Sequence, residues 1–195
     1  MMMTEGSPIN TRMLALLTYE YLRSNVARLD APDYTHTNHT QRVILYLAEP
    51  LGLRHQTDYK NFDLAFLDGD DIVMLMEDED ISRLFKKEEL PKLVEAEASL
   101  RVGITYDSSH DARSIIVENV KESLKRRKGN GLFLLILGYR QDTRPEDPYI
   151  RFDGFLFDGD GALIWKDQDI QNRRTNLRTE RAREKQREPS SSSTV

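Results

Sequence analysis

The residues able to do chemistry cluster in one short stretch, Asn61 to Asp80 (NFDLAFLDGDDIVMLMEDED), where acids punctuate two apolar runs. Asp63 opens the first run, between Phe62 and Leu64, and Glu77, Asp78, Glu79 and Asp80 close the second. A carboxylate inside an apolar strand is costly to bury unless something satisfies it. Converging carboxylates are most simply satisfied by a divalent cation. The plainer reading makes all these acids a solvated turn and a helix cap. Asp63 counts against it, because it lies within the apolar run and not in the turn.

Strand geometry sharpens the metal reading. Asp68-Gly69 between the runs is a hairpin signal. Side chains alternate faces, so Glu77 and Glu79 point the same way as Val73 and Leu75. A two-residue Asp68-Gly69 turn pairs Asp63 with Met74 and sends Asp63 and Glu77 to opposite faces. For Asp63 to share their face, the loop must hold an odd number of residues or the hairpin must carry a bulge. A three-residue Asp68-Gly69-Asp70 loop pairs Asp63 with Leu75 and makes Glu77 its diagonal neighbour, roughly 7–8 Å away. Asp63, Glu77 and Glu79 then become the expected ligands of one Mg²⁺ or Mn²⁺, with oxygens at about 2.1 Å from Mg²⁺ and water or phosphate completing the shell.

The rest of the chain must position these groups. Its 195 residues suit one domain with appendages, and 38% apolar against 31% charged residues is globular but polar. The net charge of −5 is uneven: from Arg173 to Arg187 the chain is basic, while the body is acidic. Such a body argues against coating DNA by charge alone, although carboxylates that hold a cation count as negative only until it binds. Without cysteine there is no disulfide, thiolate zinc site or cysteine nucleophile, which fits a cytoplasmic location. The N-terminus lacks the apolar core of a signal peptide, and Leu132 to Leu137 is far too short to span a bilayer, so a soluble protein without membrane contact is expected.

The periodicity predicts a helix from Thr11 to Arg28, a polar loop over Tyr34 to Thr40, and a short helix bearing Val43, Ile44 and Leu47 that ends at Pro50 and Gly52. Leu53 to Tyr59 reads as a polar first strand ahead of the acidic hairpin. Ile81 to Ala98 reads as helical, with Pro91 interrupting it or opening a new helix near Leu90. LRVGITY (Leu100 to Tyr106) is a buried strand, an amphipathic helix carries Ile116, Val120 and Leu124, and LFLLILGY (Leu132 to Tyr139) is the most apolar strand. A last hairpin runs from Tyr149 to Trp165. Its Asp158-Gly159-Asp160-Gly161 turn has Leu156 where a calcium loop needs its first carboxylate. The four histidines, His36, His39, His55 and His110, have no ligand spacing. The expected fold is α/β, a mixed β-sheet flanked by helices. The chain divides into three segments: residues 1–33, an N-terminal helical segment; 34–167, the α/β core; and 168–195, a disordered charged tail.

This order of elements resembles the PD-(D/E)XK nuclease superfamily over roughly Asn38 to Tyr139. Members share a helix, a hairpin with Asp on one strand and Glu-x-Lys on the next, then a helix, a strand, a helix and a further strand. Asp63 matches the aspartate and Glu77 the glutamate. The lysine position is occupied by Glu79, and members of this superfamily sometimes carry the lysine on the following helix, where Lys92 stands. Read by itself, Lys92 is an ordinary helix ion pair with Glu88. The superfamily often adds an acid on its first core helix, for which Glu20, Glu49 and Gln41 are the candidates. The resemblance implies a restriction-endonuclease-like core and a Mg²⁺- or Mn²⁺-dependent hydrolase that cleaves nucleic acid, DNA first. Asp63, Glu77 and Glu79 would hold the metal, Lys92 would serve the attacking water, and the chain would form a homodimer or a larger complex. The missing Glu-x-Lys lysine equally suits a non-catalytic binding or assembly module that keeps the fold.

Overall fold

A computed structural model describes residues 10–25, 36–107, 109–140 and 150–167. Helix α1 (Thr11–Asn25) and helix α2 (His36–Ala48) precede strands β1 (Arg54–Tyr59), β2 (Phe62–Asp68) and β3 (Asp71–Glu79). Helix α3 (Ser82–Leu84), a π-helical turn over Phe85–Glu89 and helix α4 (Leu90–Glu95) lead to β4 (Leu100–Tyr106). Helix α5 (His110–Arg127) leads to β5 (Leu132–Arg140), and β6 (Ile150–Phe157) and β7 (Leu163–Asp167) are the last described elements. The seven strands form a single mixed sheet in sequence order, parallel at β3–β4 and β4–β5 and antiparallel elsewhere. The fold is α/β, a mixed sheet flanked by helices.

Right-handed crossovers explain the layering. Two parallel connections advancing in the same direction across a sheet must lay their helices on the same face. There α4 and α5 bury Leu93, Ile116 and Val120 against Phe133, Leu135 and Phe155. The opposite face is covered by α1 and α2, whose Leu14, Tyr19 and Ile44 pack on Phe66, Met74, Val102 and Leu134. Consecutive residues of β5 therefore serve different cores, Leu134 one and Leu135 the other. Covered on both faces, β4 and β5 read as continuous apolar runs rather than alternating ones.

Two local expectations need correction. The polar segment ending at Thr40 is helical from His36 onward, since tertiary packing of Val43, Ile44 and Leu47 extends a weak helix former. The acidic hairpin closes on a two-residue loop, Gly69-Asp70, with Asp68 paired to Asp71. A bulge lies just beyond it: Leu67 pairs with Ile72 but Phe66 with Met74, leaving Val73 as the extra residue. Asp63 is thus not opposite Leu75, whose partner is Ala65. Pro91 follows the π-helical turn and opens α4 near Leu90, as the sequence predicts. The tail, and the expectation that it is disordered, lie outside the described residues. No helix among the described residues is long and apolar enough to cross a membrane.

Candidate active site

The bulge sets the site. Leu64 pairs with Met76, and one further residue along this register puts Asp63 across from Glu77, on the face that carries α4. Direct opposition brings side chains closer than the diagonal relation expected from the sequence. The two carboxyl groups lie close enough that Asp63 raises the pKa of Glu77. Asp63 Oδ2 accepts the backbone N–H of Asp78 at 2.8 Å. This strand-to-strand bond locks the Asp63 rotamer.

Lys92 comes to the same point from α4. Its ammonium forms an ion pair with Glu77 Oε1, a second with Glu89 Oε2 at 2.6 Å, and donates to the carbonyl oxygen of Asn61 at 2.6 Å. The nitrogen also lies 5.2 Å from the centre of the Phe62 ring. Its helical partner is Glu89, three residues before it, and not Glu88, which sits near Lys87 at the surface. Nothing in the order of charges singles out Glu89. The π-helical turn carries it: one extra residue in a helix rotates all later side chains by about 100°.

One ammonium therefore pairs with two carboxyl groups, Glu77 and Glu89, and its charge also reaches Asp63. Burial pushes Glu77 up to about 8, further raised by Asp63 and Glu89 and opposed by the hydrogen bond from Lys92. Asp63 is raised for the same principal reason, burial, with the hydrogen bond it accepts from the Asp78 N–H opposing. Lys92 is raised because its bonds to Glu77 and Glu89 outweigh its own desolvation. Protonation of Glu77 relieves the excess negative charge, as expected for adjacent buried carboxylates.

Glu79 does not join this group. It lies two residues further along β3, and its Oε1 accepts the backbone N–H of Ile81 at 2.9 Å, closing the turn into α3. Among the described residues no three His, Asp or Glu side chains gather as a ready metal-binding set. Glu20 pairs with Arg23 on the outer side of α1, and Glu49 is exposed, so neither approaches the carboxylates. Asp78 points to the other face, buried beside Thr40 of α2 and Tyr106, whose hydroxyls are 2.8 Å apart. Burial holds its carboxyl well above the usual range, and the nearby Asp80 and Asp63 add to the shift.

Comparison with protein-family models and with curated proteins finds no match. The chemistry of the site therefore rests on its geometry alone.

Proposed function

We propose that this chain is a metal-dependent phosphodiesterase of the PD-(D/E)XK type, built on a restriction-endonuclease-like core and acting on nucleic acid. The observation that carries the reading is the convergence of Asp63 from β2, Glu77 from β3 and Lys92 from α4 on one sheet face. Glu79 replaces the strand lysine, and the ammonium that the strand lacks arrives from the helix.

The donor chemistry of Asp63 and Glu77 suits a divalent cation whose shell is completed by water and phosphate. Asp63 and Glu77 are desolvated neighbours, and a 2+ ion would replace the proton that burial favours on Glu77. Those two carboxylates would hold the ion. The ion would supply Lewis acidity and charge shielding at a phosphate. Lys92, fixed by Asn61 and Glu89, would orient the attacking water and stabilise charge developing on the phosphate oxygens. Asp78 would set Asp63 through its N–H. DNA is the first substrate to try, and a dimer or larger assembly is compatible with the site.

The test is an assay on single- and double-stranded DNA and RNA with Mg²⁺ or Mn²⁺. Cleavage should require the metal and vanish in Asp63→Ala and Glu77→Ala. Metal-independent cleavage, or activity retained by both folded variants, would refute the proposal. So would the absence of cleavage on every substrate, which favours the non-catalytic module.

A further inference from the structure

A second group of charges lies at the other end of the parallel strands and plays no part in the site above. Arg101 on β4 is 1% exposed. Its guanidinium donates to three neutral acceptors: the carbonyl oxygen of Val94 at 3.1 Å, that of Asn130 at 3.1 Å and that of Gly131 at 3.5 Å. Its Nε is buried without a hydrogen-bond partner. Among the described residues no carboxylate pairs with it, an arrangement that proteins generally avoid for a buried charge.

Arg101 borders a cleft of about 820 Å³ between the C-terminal ends of α4 and α5. Arg127 and Lys128 also line it, and both are exposed. Arg127 donates to the carbonyl oxygen of Glu95 at 3.3 Å, so it too is held by backbone and not by an acid. Lys128 adopts a left-handed conformation, φ 50°, which ends α5 and leaves its ammonium without an ion pair among the described residues. The charge of Arg127 depresses the pKa of Arg101 beyond the effect of burial, so the two cations repel each other. Glu95 and Glu97 line the same cleft, yet neither pairs with these cations.

The loop is shaped around this arrangement. A Cβ at Gly129 would lie 3.2 Å from Arg101 Nη1, and Gly131 has φ +85° with a Cβ position only 2.6 Å from the Ala98 carbonyl oxygen. Backbone and cations are thus packed as closely as glycine permits. Guanidinium and ammonium groups together favour a tetrahedral oxyanion, which offers several strong acceptors.

We propose that this cleft binds a phosphate group, contacted by Arg127 and Lys128 within the field of the buried Arg101. The group could belong to free phosphate or to the backbone of a nucleic acid strand, and the two sources are separable. The inference does not rest on the phosphodiesterase reading.

The experiment is titration calorimetry of the full chain in EDTA, which silences any metal-dependent binding at Asp63 and Glu77. The probes are inorganic phosphate and a short single-stranded oligonucleotide. Wild-type protein should bind at least one, and tighter binding of the oligonucleotide would identify a strand as the source. Arg127→Ala/Lys128→Ala should weaken binding by about tenfold or more, the size of one lost charge-assisted hydrogen bond. Lys125→Ala/Arg126→Ala, on the same helix end but outside the cleft, should stay within about twofold, since exposed charges act weakly at a distance. These surface variants avoid the folding defect that substituting Arg101 invites. Failure of both probes to bind wild-type protein at millimolar concentration, or an equal loss in both double variants, would overturn the proposal.

Discussion

Lys92 holds the centre of the candidate site, and its geometry has an unusual consequence. The ammonium sits directly on Glu77, where an incoming cation must compete with it or share the carboxylate. Lys92→Met should therefore bind Mn²⁺ at least as tightly as wild type by calorimetry. If the phosphodiesterase proposal holds, its turnover should fall by about 10² or more, as expected for a lost charge-stabilising group. Weaker Mn²⁺ binding in a folded Lys92→Met would contradict this arrangement. The site also imposes a pH dependence on the metal-free protein. Glu77 keeps its proton up to about 8 when folded, against an ordinary 4.5. The folded state thus binds more protons between those values, and stability falls as pH rises through that window. Asp63 shifts in the same direction, whereas Lys92, raised from 10.5, loses its contribution only above the window. Denaturant midpoints measured in EDTA should fall from pH 4.5 to 8, and Glu77→Gln should flatten the profile. A flat wild-type profile would contradict the assigned proton.

Two irregular elements deliver these residues. The bulge at Val73 flips the phase of the hairpin and places Asp63 against Glu77; the π-helical turn brings Glu89 and Lys92 over the strands. That turn is anchored by Phe85, fully buried above β4. Gly103, the β4 partner of Glu77, leaves space for its ring: a Cβ there would lie 2.6 Å from Phe85 Cζ and 2.9 Å from Cε2. Gly103→Ala should therefore cost about 1–3 kcal/mol through overpacking. Denaturant unfolding measures the cost, and an unchanged midpoint would show that the turn moves freely. Because the turn carries Glu89, Gly103→Ala should also disturb the Lys92 site.

The whole molecule is organised as two cores on one sheet. Leu134 lies in the core under α1 and α2, Leu135 in the core under α4 and α5, and both are fully buried. Truncating either to alanine should cost about 2–5 kcal/mol. Since the same strand serves both cores, each variant should shift one cooperative transition, with fluorescence and circular dichroism coinciding. Separate transitions for the two variants would show that the faces unfold independently. The same layering isolates the carboxylate site from the basic cleft. Along β4, Arg101 precedes Gly103, the partner of Glu77, by two residues, about 7 Å of strand, while α4 roofs the space between them.

The sequence by itself determined the alternation of helix and strand, because apolar periodicity depends only on which residues must leave water. It also marked Asp63 and Glu77, since a carboxylate within an apolar run is costly wherever the strand ends up. Lys92 was legible as a candidate only through resemblance. Its place beside Glu77 was decided by the π-helical turn, a one-residue change in helical phase that no periodicity reports. Glu89, equally part of the group, carried no signal separating it from Glu88. Register belonged to the tertiary structure as well: a two-residue loop plus a bulge and a three-residue loop both satisfy the same alternation, and packing of both sheet faces selects between them. The solitary charge of Arg101 is the clearest case. In the sequence it is one basic residue in an apolar strand, and only the meeting of two helix ends and a glycine loop shows that carbonyls surround it and that no carboxylate among the described residues pairs with it.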